Sequence, residues 1–486
     1  MVIGLDIGTS GVKGVAVTSA GRVAARAEEG YALSVPRPGW AEQEPERWWE
    51  ATAGVLERLC GEVGRPVGIG LSGQMHGLVA LDGRGRPLRP AILWNDQRAS
   101  AECEEIEATF GAAELVRLTG NRALAGFTAP KLLWMRRHEP DLYARIAAVL
   151  LPKDYVRLRL CGEYAHDVSD ASGTLLFDVA ARTWSAPVAD GLEIPLEWFA
   201  PALESGAVAG HTADGIPVVA GAGDQAAGAV GVGVLAPGVA SVVLGTSGVV
   251  FAPLASYRPD PAGTSHTFCH AVADTWHGMG VMLSAAGSLQ WLAAILAPGA
   301  DIGALVAEAA RWEPGVEGLT FLPYLAGERT PHADPHARGV FAGLSLRHDR
   351  GALVRAVMEG VCAGLRDCLD LMRSSGATID AGVLSGGGAR SDLWAEIAAG
   401  MLELPLTRTD AADGAAFGAA LLAGVSAGFW RDLTEATAAA VRPRDTIEPV
   451  AADVPRYREL QRRFRALYPA ISAVSPESAN PAVPAP

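Results

Sequence analysis

The tetrapeptide GTSG occurs twice, at 8–11 within DIGTSGVKGVAV and at 245–248 within VVLGTSGVVFA, 237 positions apart in a chain of 486 residues. Each copy follows an apolar run (Val2, Ile3, Leu5, Ile7; Val242, Val243, Leu244) and precedes another (Val15, Val17; Val249, Val250, Phe251). Each therefore reads as strand, tight turn, strand. A hairpin repeated half a chain later constrains the fold to two related halves. Gly8, Gly11, Gly245 and Gly248 are expected to supply backbone freedom at the turns and to leave N–H groups uncovered by any Cβ. Successive free N–H groups make an anion cradle, so the pair reads as two phosphate-binding hairpins.

A chain of this length holds two or three domains. With 49% hydrophobic and 19% charged residues it has a globular composition, and its formal charge of −14 speaks against nucleic acid or an anionic membrane as partner. An anionic ligand would need local help from backbone N–H groups and a divalent metal. Six cysteines (Cys60, Cys103, Cys161, Cys269, Cys362, Cys368) lack CxxC spacing, which favours reduced thiols in a cytoplasmic enzyme. The chain begins directly in a strand, with Asp6 where a signal peptide would need apolar residues. Residues 225–257 carry no charged side chain, but Pro237, Pro253 and six glycines make them a buried helix followed by a buried hairpin rather than a membrane span.

Strand-like runs at VIGLDIG, GVAVT, RPVGIGLSG and LVALD alternate with the helical stretch PERWWEATAGVLERLC, pointing to an α/β domain with a mixed sheet. After the strand IPVVAGAGD and a helix of small residues, APG at 236–238 is the best boundary. The expected domains are 1–236 and 237–470, with a proline-rich tail, 471–486, expected to be disordered. The second half repeats the theme with a hairpin, helices, the strand AGVLSGGG and the helix SDLWAEIAAGML. Its last helix, GAAFGAALLAG, permits close approach of a neighbour.

Other phosphate-binding motifs are excluded by inspection. The three lysines, Lys13, Lys131 and Lys153, do not follow glycines, so there is no Walker A loop. A GxGxxG at Gly68, Gly70 and Gly73 runs into a strand and turn instead of the helix a dinucleotide site requires. In HADPH at 332–336, Pro335 breaks the helix that would align two histidine ligands. In VVAGAGDQ, Asp224 follows a buried strand and opens a small-residue helix. It is either a helix cap or, at the strand end where α/β crevices form, the acceptor of a proton from an attacking hydroxyl. SGQMHG at 72–77 puts Gln74, Met75 and His76 in a turn, as contacts for a neutral polyol or as a capping or core histidine. Asn95, Asp96 and Gln97 in LWNDQRA are contacts or turn formers. SGGGARSDLW at 385–394 offers a glycine turn and a helix start to a nucleotide's ribose and base.

With these pieces assembled, the chain resembles the FGGY family of carbohydrate kinases through DIGTSGVKG, PGWAEQEPERWW, SGQMHG, LWNDQRA, FTAPKLLWMRRHEP, VLLPKDYVRLRLCGEY, SDASGTLLFDV, GAGDQAAGAVGVG, LGTSGVVFA, FLPYLAGERTPH and SGGGARSDLW. The resemblance implies an α/β fold of two actin-like (ribonuclease H-like) domains, the N-terminal one sugar-binding and the C-terminal one nucleotide-binding, with the active site in the cleft between them. It implies transfer of phosphate from MgATP to the 5-hydroxyl of D-xylulose in pentose catabolism. By the same resemblance Asp224 is the catalytic base, Met75 and His76 contact the sugar, Gln225 lies beside it, and Asp6 organises Mg2+ through water. Thr9, Ser10 and Lys13 belong to the first phosphate loop, Gly245 and Thr246 to the second. Gly388, Ala389 and Asp392 belong to the nucleoside site, Asp392 standing where related kinases often carry Asn. The competing expectations are a kinase of the same family for ribulose, glycerol or another polyol, and an actin- or chaperone-like ATPase that binds protein. The latter leaves SGQMHG and Asp224 without a role. The expected partners are the sugar and ATP, with no nucleic acid and no membrane, and a homodimer is a candidate assembly.

Overall fold

The structure, a computed structural model, describes residues 1–299, 301–410 and 413–472. The chain divides into two compact units. The first gathers Met1–Pro237, Pro253–Gly278 and Asp410–Arg442; the second gathers Gly238–Ala252, Met279–Thr409 and the stretch from Pro443 onward. Each unit is thus discontinuous in sequence, where the reading of the sequence expects contiguous domains at 1–236 and 237–470. Of the tail expected to be disordered, residues 471 and 472 close a helix, and 473–486 lie outside the described residues.

In the first unit β1 (Val2–Ile7), β2 (Gly11–Val17) and β3 (Val23–Gly30) form an antiparallel meander. The helix α1 (Pro45–Val63), opened by a proline in its first turn, leads to β4 (Ile69–Gly73), which pairs with β1 in parallel. Two helices that bear on the site follow, α2 (Thr128–His138) and α3 (Pro152–Cys161), then β5 (Val208–His211) and β6 (Pro217–Val219). The sheet order is β5-β6-β4-β1-β2-β3, and the short β7 (Ala222–Gly223) pairs with the far end of β4 before α4 (Asp224–Gly231). Strands β1 and β4 are buried along nearly their whole length, as central strands with helices on both faces require.

The second unit repeats this plan. The hairpin β8 (Gly238–Leu244) and β9 (Gly248–Leu254) is followed by β10 (Trp276–Met282), α5 (Ala286–Leu296), the long α6 (Arg350–Ser374), β11 (Ile379–Ser385), α7 (Asp392–Leu402) and β12 (Leu406–Thr409). The order runs β10-β9-β8-β11-β12, with β8 and β11 parallel. In each unit an antiparallel hairpin is joined through its first strand to a parallel neighbour that ends in a glycine turn. The repeated tetrapeptide is therefore a repeat of topology. The charge-free run 225–257 spans most of α4 and the β8–β9 hairpin, and no described helix is long and apolar enough to cross a membrane.

After β12 the chain returns to the first unit with α8 (Gly414–Ser426), and then the second unit is completed by β13 (Pro443–Ile447) and α9 (Val454–Ser472). The Gly/Ala composition of α8 has a geometric cause. A Cβ on Gly4 of β1 would overlap the carbonyl oxygen of Ala416, one on Gly70 of β4 that of Ala419, and one on Gly418 that of Ala227 in α4. The helix lies backbone against backbone on β1, β4 and α4. Gly70, the middle glycine of the GxGxxG, thus makes room for a helix, and a turn rather than a helix follows Gly73.

Because the obstacle at Gly418 is backbone rather than a movable side chain, Gly418→Val is expected to lose at least the ~1–3 kcal/mol typical of overpacking. Gly61→Ala, in α1 where nothing lies within 4 Å of the new Cβ, is expected to leave stability unchanged or raise it by up to ~1 kcal/mol. Thermal melting of the two variants against the wild type checks both.

Candidate active site

The strand register assembles the first half of the site. Asp6 pairs with Ser72 across β1–β4, and Ala222 and Gly223 of β7 pair with Ser72 and Gly73 of β4. Asp6 and Asp224 consequently emerge at the same end of the two strands that flank β4, where ligand crevices open in α/β sheets. Ser72 Oγ donates to Asp6 Oδ1 at 2.8 Å. Burial raises the Asp6 carboxyl above its usual range, opposed by the Ser72 bond and by the charge of Lys13, its direct partner across the β1–β2 register. Asp224 is half-buried, and its carboxyl is pushed up to about 7. Burial is the main cause and the charge of Asp6 the second, while hydrogen bonds from the backbone and side chain of Gln225 pull the other way. The residue flanking α4 is Gly223, and no side chain caps the helix, so Asp224 does not serve as its cap.

The turn after β4 is built around the same point. Met75 is buried against Gly223, where a Cβ would come within 2.8 Å of the Met75 Cγ. His76 sits at φ 68°, a conformation that a non-glycine residue adopts only when its surroundings enforce it. Its Nδ1 lies 2.8 Å from the Gly173 carbonyl, which fixes the proton on Nδ1 and makes Nε2 the acceptor of the neutral ring. The ring packs on Phe127 and Phe268, with centroids 4.7 and 6.0 Å away. The His76 carbonyl accepts from Lys131 Nζ at 2.9 Å and Thr128 Oγ1 at 3.2 Å.

The first GTSG turn differs from its expected form in one respect. None of its glycines, nor those of the second copy, has a positive φ. They are required by crowding: a Cβ on Gly11 would come within 2.6 Å of the Glu29 carbonyl oxygen, and one on Gly248 within 2.6 Å of Met282 Cγ. The Gly8 amide is engaged by the Gly11 carbonyl, whereas the amides of Thr9 and Ser10 donate to no backbone carbonyl among the described residues. Residues without an expected role hold this turn. Gln43 Nε2 donates to the Thr9 carbonyl at 2.7 Å, Tyr31 to that of Gly8 at 2.6 Å, and Trp94 Nε1 to Thr9 Oγ1 at 3.0 Å. Thr9 Oγ1 in turn donates to Gln74, which donates to Gln43. The turn is thereby tied to SGQMHG. Asp96, buried and bonded to the Ala41 amide and to Arg98, is a turn former; Asn95 is half-buried and Gln97 exposed.

The second unit brings together Gly245, Thr246, Gly388 and Ala389. The carbonyls of Thr246 and Gly245 accept from the amides of Ala285 and Ala286, each at 2.8 Å, leaving the outward amides of Gly245 and Thr246 without a backbone acceptor among the described residues. Gly386 turns at φ 92°, and a Cβ on Gly388 would come within 3.0 Å of Leu244 Cβ, so the glycine turn lies directly on the strand end that carries Gly245. Asp392 opens α7 and is exposed. Its Oδ1 accepts from Arg408 Nη1 at 2.8 Å, and the same nitrogen donates to the Ala389 carbonyl at 3.1 Å. A carboxylate at this position is thus matched by a cation that also fixes the neighbouring Ala389.

No three His, Cys, Asp or Glu side chains among the described residues form a metal-holding group. A Mg2+ that keeps most of its water and arrives with phosphates needs only one or two carboxylates, and Asp6 fits that demand. In each unit the uncommitted amides of the GTSG turn are of the kind that receives an anion.

Residues 1–231 match the N-terminal domain, and residues 240–427 the C-terminal domain, of the FGGY family of carbohydrate kinases. The xylulose kinase of Escherichia coli (strain K12) is 42% identical over 484 residues, covering 96% of this chain and 98% of that protein. The xylulose kinase of Bacillus subtilis (strain 168) is 37% identical over 481 residues, covering 96% of each chain. The crystal structure of xylulose kinase from Rhodospirillum rubrum superposes with a TM-score of 0.91 at 34% identity, over 97% of this chain and 99% of that one. Two family domains in succession, over nearly the whole chain, establish that it belongs to the FGGY family of carbohydrate kinases.

Proposed function

We infer that the protein transfers the γ-phosphoryl group of ATP to the 5-hydroxyl of D-xylulose, giving D-xylulose 5-phosphate and ADP. The observation that carries the reading is the Asp224 carboxyl, half-buried beside Asp6 and pushed up to about 7. A general base works best when its proton affinity lies near the working pH. In this reading the sugar O5 attacks the γ-phosphorus, the bond from that phosphorus to the bridging oxygen of ADP breaks, and the O5 proton passes to Asp224. The transition state is loose and charge is spread over the transferring oxygens, so positioning and electrostatics supply most of the rate.

Met75, His76 and Gln225 hold the ketose, with His76 Nε2 as an acceptor for a sugar hydroxyl. Thr9, Ser10 and Lys13 in the first unit, and Gly245 and Thr246 in the second, face phosphate through amides and one ammonium. Gly388, Ala389 and Asp392 take the nucleoside. Asp6 would hold the Mg2+ that arrives with ATP, and the ion would supply positive charge for the phosphate oxygens. All six cysteines are free thiols, which supports a reducing, cytoplasmic setting for the enzyme.

Asp224→Asn is expected to lower turnover on D-xylulose by about 10² to 10⁴-fold, the usual cost of a missing base. The folded carboxyl binds its proton more tightly than the unfolded one, so ionised Asp224 destabilises the fold above about pH 7 and not below about pH 4. The variant should therefore melt higher than wild type at pH 8, with the difference fading as the pH falls toward 4. A folded variant keeping more than about a tenth of wild-type turnover would remove Asp224 from the chemistry.

For the wild type, kcat/KM should fall about tenfold per pH unit below an apparent midpoint near 7, because only the ionised base acts. A coupled ADP-release assay across pH 5.5–9 reads this. Run over a panel of ketoses and polyols at one pH, the same assay tests the substrate. His76→Ala should raise the KM for D-xylulose by roughly three- to tenfold, the equivalent of one hydrogen bond, with the KM for ATP little changed.

A further inference from the structure

Of the forty lysine and arginine residues in the chain, three are lysines: Lys13, Lys131 and Lys153. Lys13 faces Asp6 across the β1–β2 register. The other two are completely buried, and each is wired to the backbone of the sugar-side half of the site.

Lys131, on α2, donates to the carbonyls of His76 at 2.9 Å and Gly126 at 2.7 Å. It thus clamps the left-handed turn from which the His76 ring projects. Lys153, on α3, contacts Asp154 Oδ1 at 2.6 Å, Asp167 Oδ1 at 2.7 Å and Asp170 Oδ2 at 3.1 Å, all of them fully buried. Asp167 Oδ2 accepts from the amide and hydroxyl of Ser169 at 2.8 and 2.6 Å, and Ser169 Oγ accepts from the Gly223 amide at 3.1 Å. Gly223 immediately precedes Asp224. The same cluster reaches the start of this segment, since Arg157 contacts Asp154 at 2.8 Å and donates to the Ala220 carbonyl at 2.7 Å. Between these two anchors, the Gly221 amide donates to the Ser205 carbonyl, and Ser205 Oγ to Asp167 Oδ2.

A buried ion cluster is poor value as a source of stability, because desolvation offsets most of the Coulombic gain and well-packed apolar side chains serve as well or better. What this cluster supplies is direction: its hydrogen bonds end on the peptide groups from Ala220 to Gly223. We propose that Lys131 and Lys153 are positioning residues of the sugar site, Lys131 for His76 and Lys153, through Asp167 and Ser169, for Asp224. The proposal rests on the kinase reading above. An ammonium is a compact point charge with three donors, whereas the guanidinium is a longer planar fork, so an enclosed lysine with three carboxylates around it is not exchangeable for arginine. This accounts for lysine at 153 in a chain whose basic residues are nearly all arginine.

The test takes the full chain with Lys131→Met, Lys131→Arg, Lys153→Met, Lys153→Arg, Ser169→Ala and Ser169→Thr, measuring kinetics for both substrates, melting, and amide exchange of peptides spanning His76 and Gly223. Lys131→Met should raise the KM for D-xylulose by up to the roughly three- to tenfold expected of His76→Ala, while kcat and the KM for ATP change little. Lys153→Met and Ser169→Ala should lower kcat by about 10 to 100-fold at nearly constant KM, as a displaced catalytic group does. Both arginine variants should fail as the methionine variants do, and Ser169→Thr, which keeps the hydroxyl, should recover most of the loss. Folded Lys131→Met and Ser169→Ala proteins with wild-type kinetics and exchange would overturn the proposal. If Lys153→Met does not fold, Ser169→Ala decides alone. If Lys131→Met does not fold, Thr128→Val, which removes the other donor to the His76 carbonyl, takes its place with the same expected rise in KM. Should the wild type phosphorylate no sugar, the kinase reading falls, and the positioning proposal then stands on faster Gly223 exchange in Ser169→Ala and falls if exchange is unchanged.

Discussion

The backbone-to-backbone contact of α8 with β1, β4 and α4 is the constraint on which the first unit rests. Helix and sheet approach until a single Cβ at Gly4, Gly70 or Gly418 would overlap a carbonyl oxygen. At that distance α4 is held against the helix that covers the sheet, and its first residue, Asp224, stays level with the end of β1. The register of β4 with β1 and β7 sets where Asp6 and Asp224 emerge, and this packing covers the strands that carry them.

The site combines two unfavourable arrangements, each offset locally. Two carboxylates share one strand end with burial working against both, and Ser72 and Lys13 partly relieve Asp6, whereas Asp224 is left to hold a proton near neutrality. Behind them three aspartates surround one buried lysine, and burial pushes the Asp170 carboxyl well above the usual range. The two buried cations Lys153 and Arg157 answer these carboxylates by direct contact.

Much of this was legible in the chain because it is local. The duplicated GTSG, with apolar runs on both sides, announced two hairpins and two related halves. SGQMHG and GAGDQ announced strand ends carrying polar groups, and the Gly/Ala content of GAAFGAALLAG announced a close neighbour. The identity of that neighbour was not legible, because α8 meets strands some 350 to 410 positions earlier and composition does not say which unit a helix joins. The turn glycines looked conformational and are steric, since a crowding carbonyl such as that of Glu29 has no local sequence signature. The bracing of Thr9 by Gln43, Gln74 and Trp94 is likewise assembled from three separate segments. For the buried lysines there was a signal that local reading passes over: the scarcity of lysine itself.

The return of α8 to the first unit also fixes an order of events during synthesis. The sheet of that unit is complete once residue 223 has been made, but the helix that covers β1 and β4 lies at 414–426, after nearly all of the second unit. Domains ordinarily fold in turn as they leave the ribosome. Here the N-terminal sheet must wait, with its glycine face bare, for roughly two hundred further residues, some ten to forty seconds at elongation rates of about 5–20 residues per second. The earlier half of the chain therefore finishes folding with the later half, and the nascent protein depends on whatever shields an uncovered sheet during that interval.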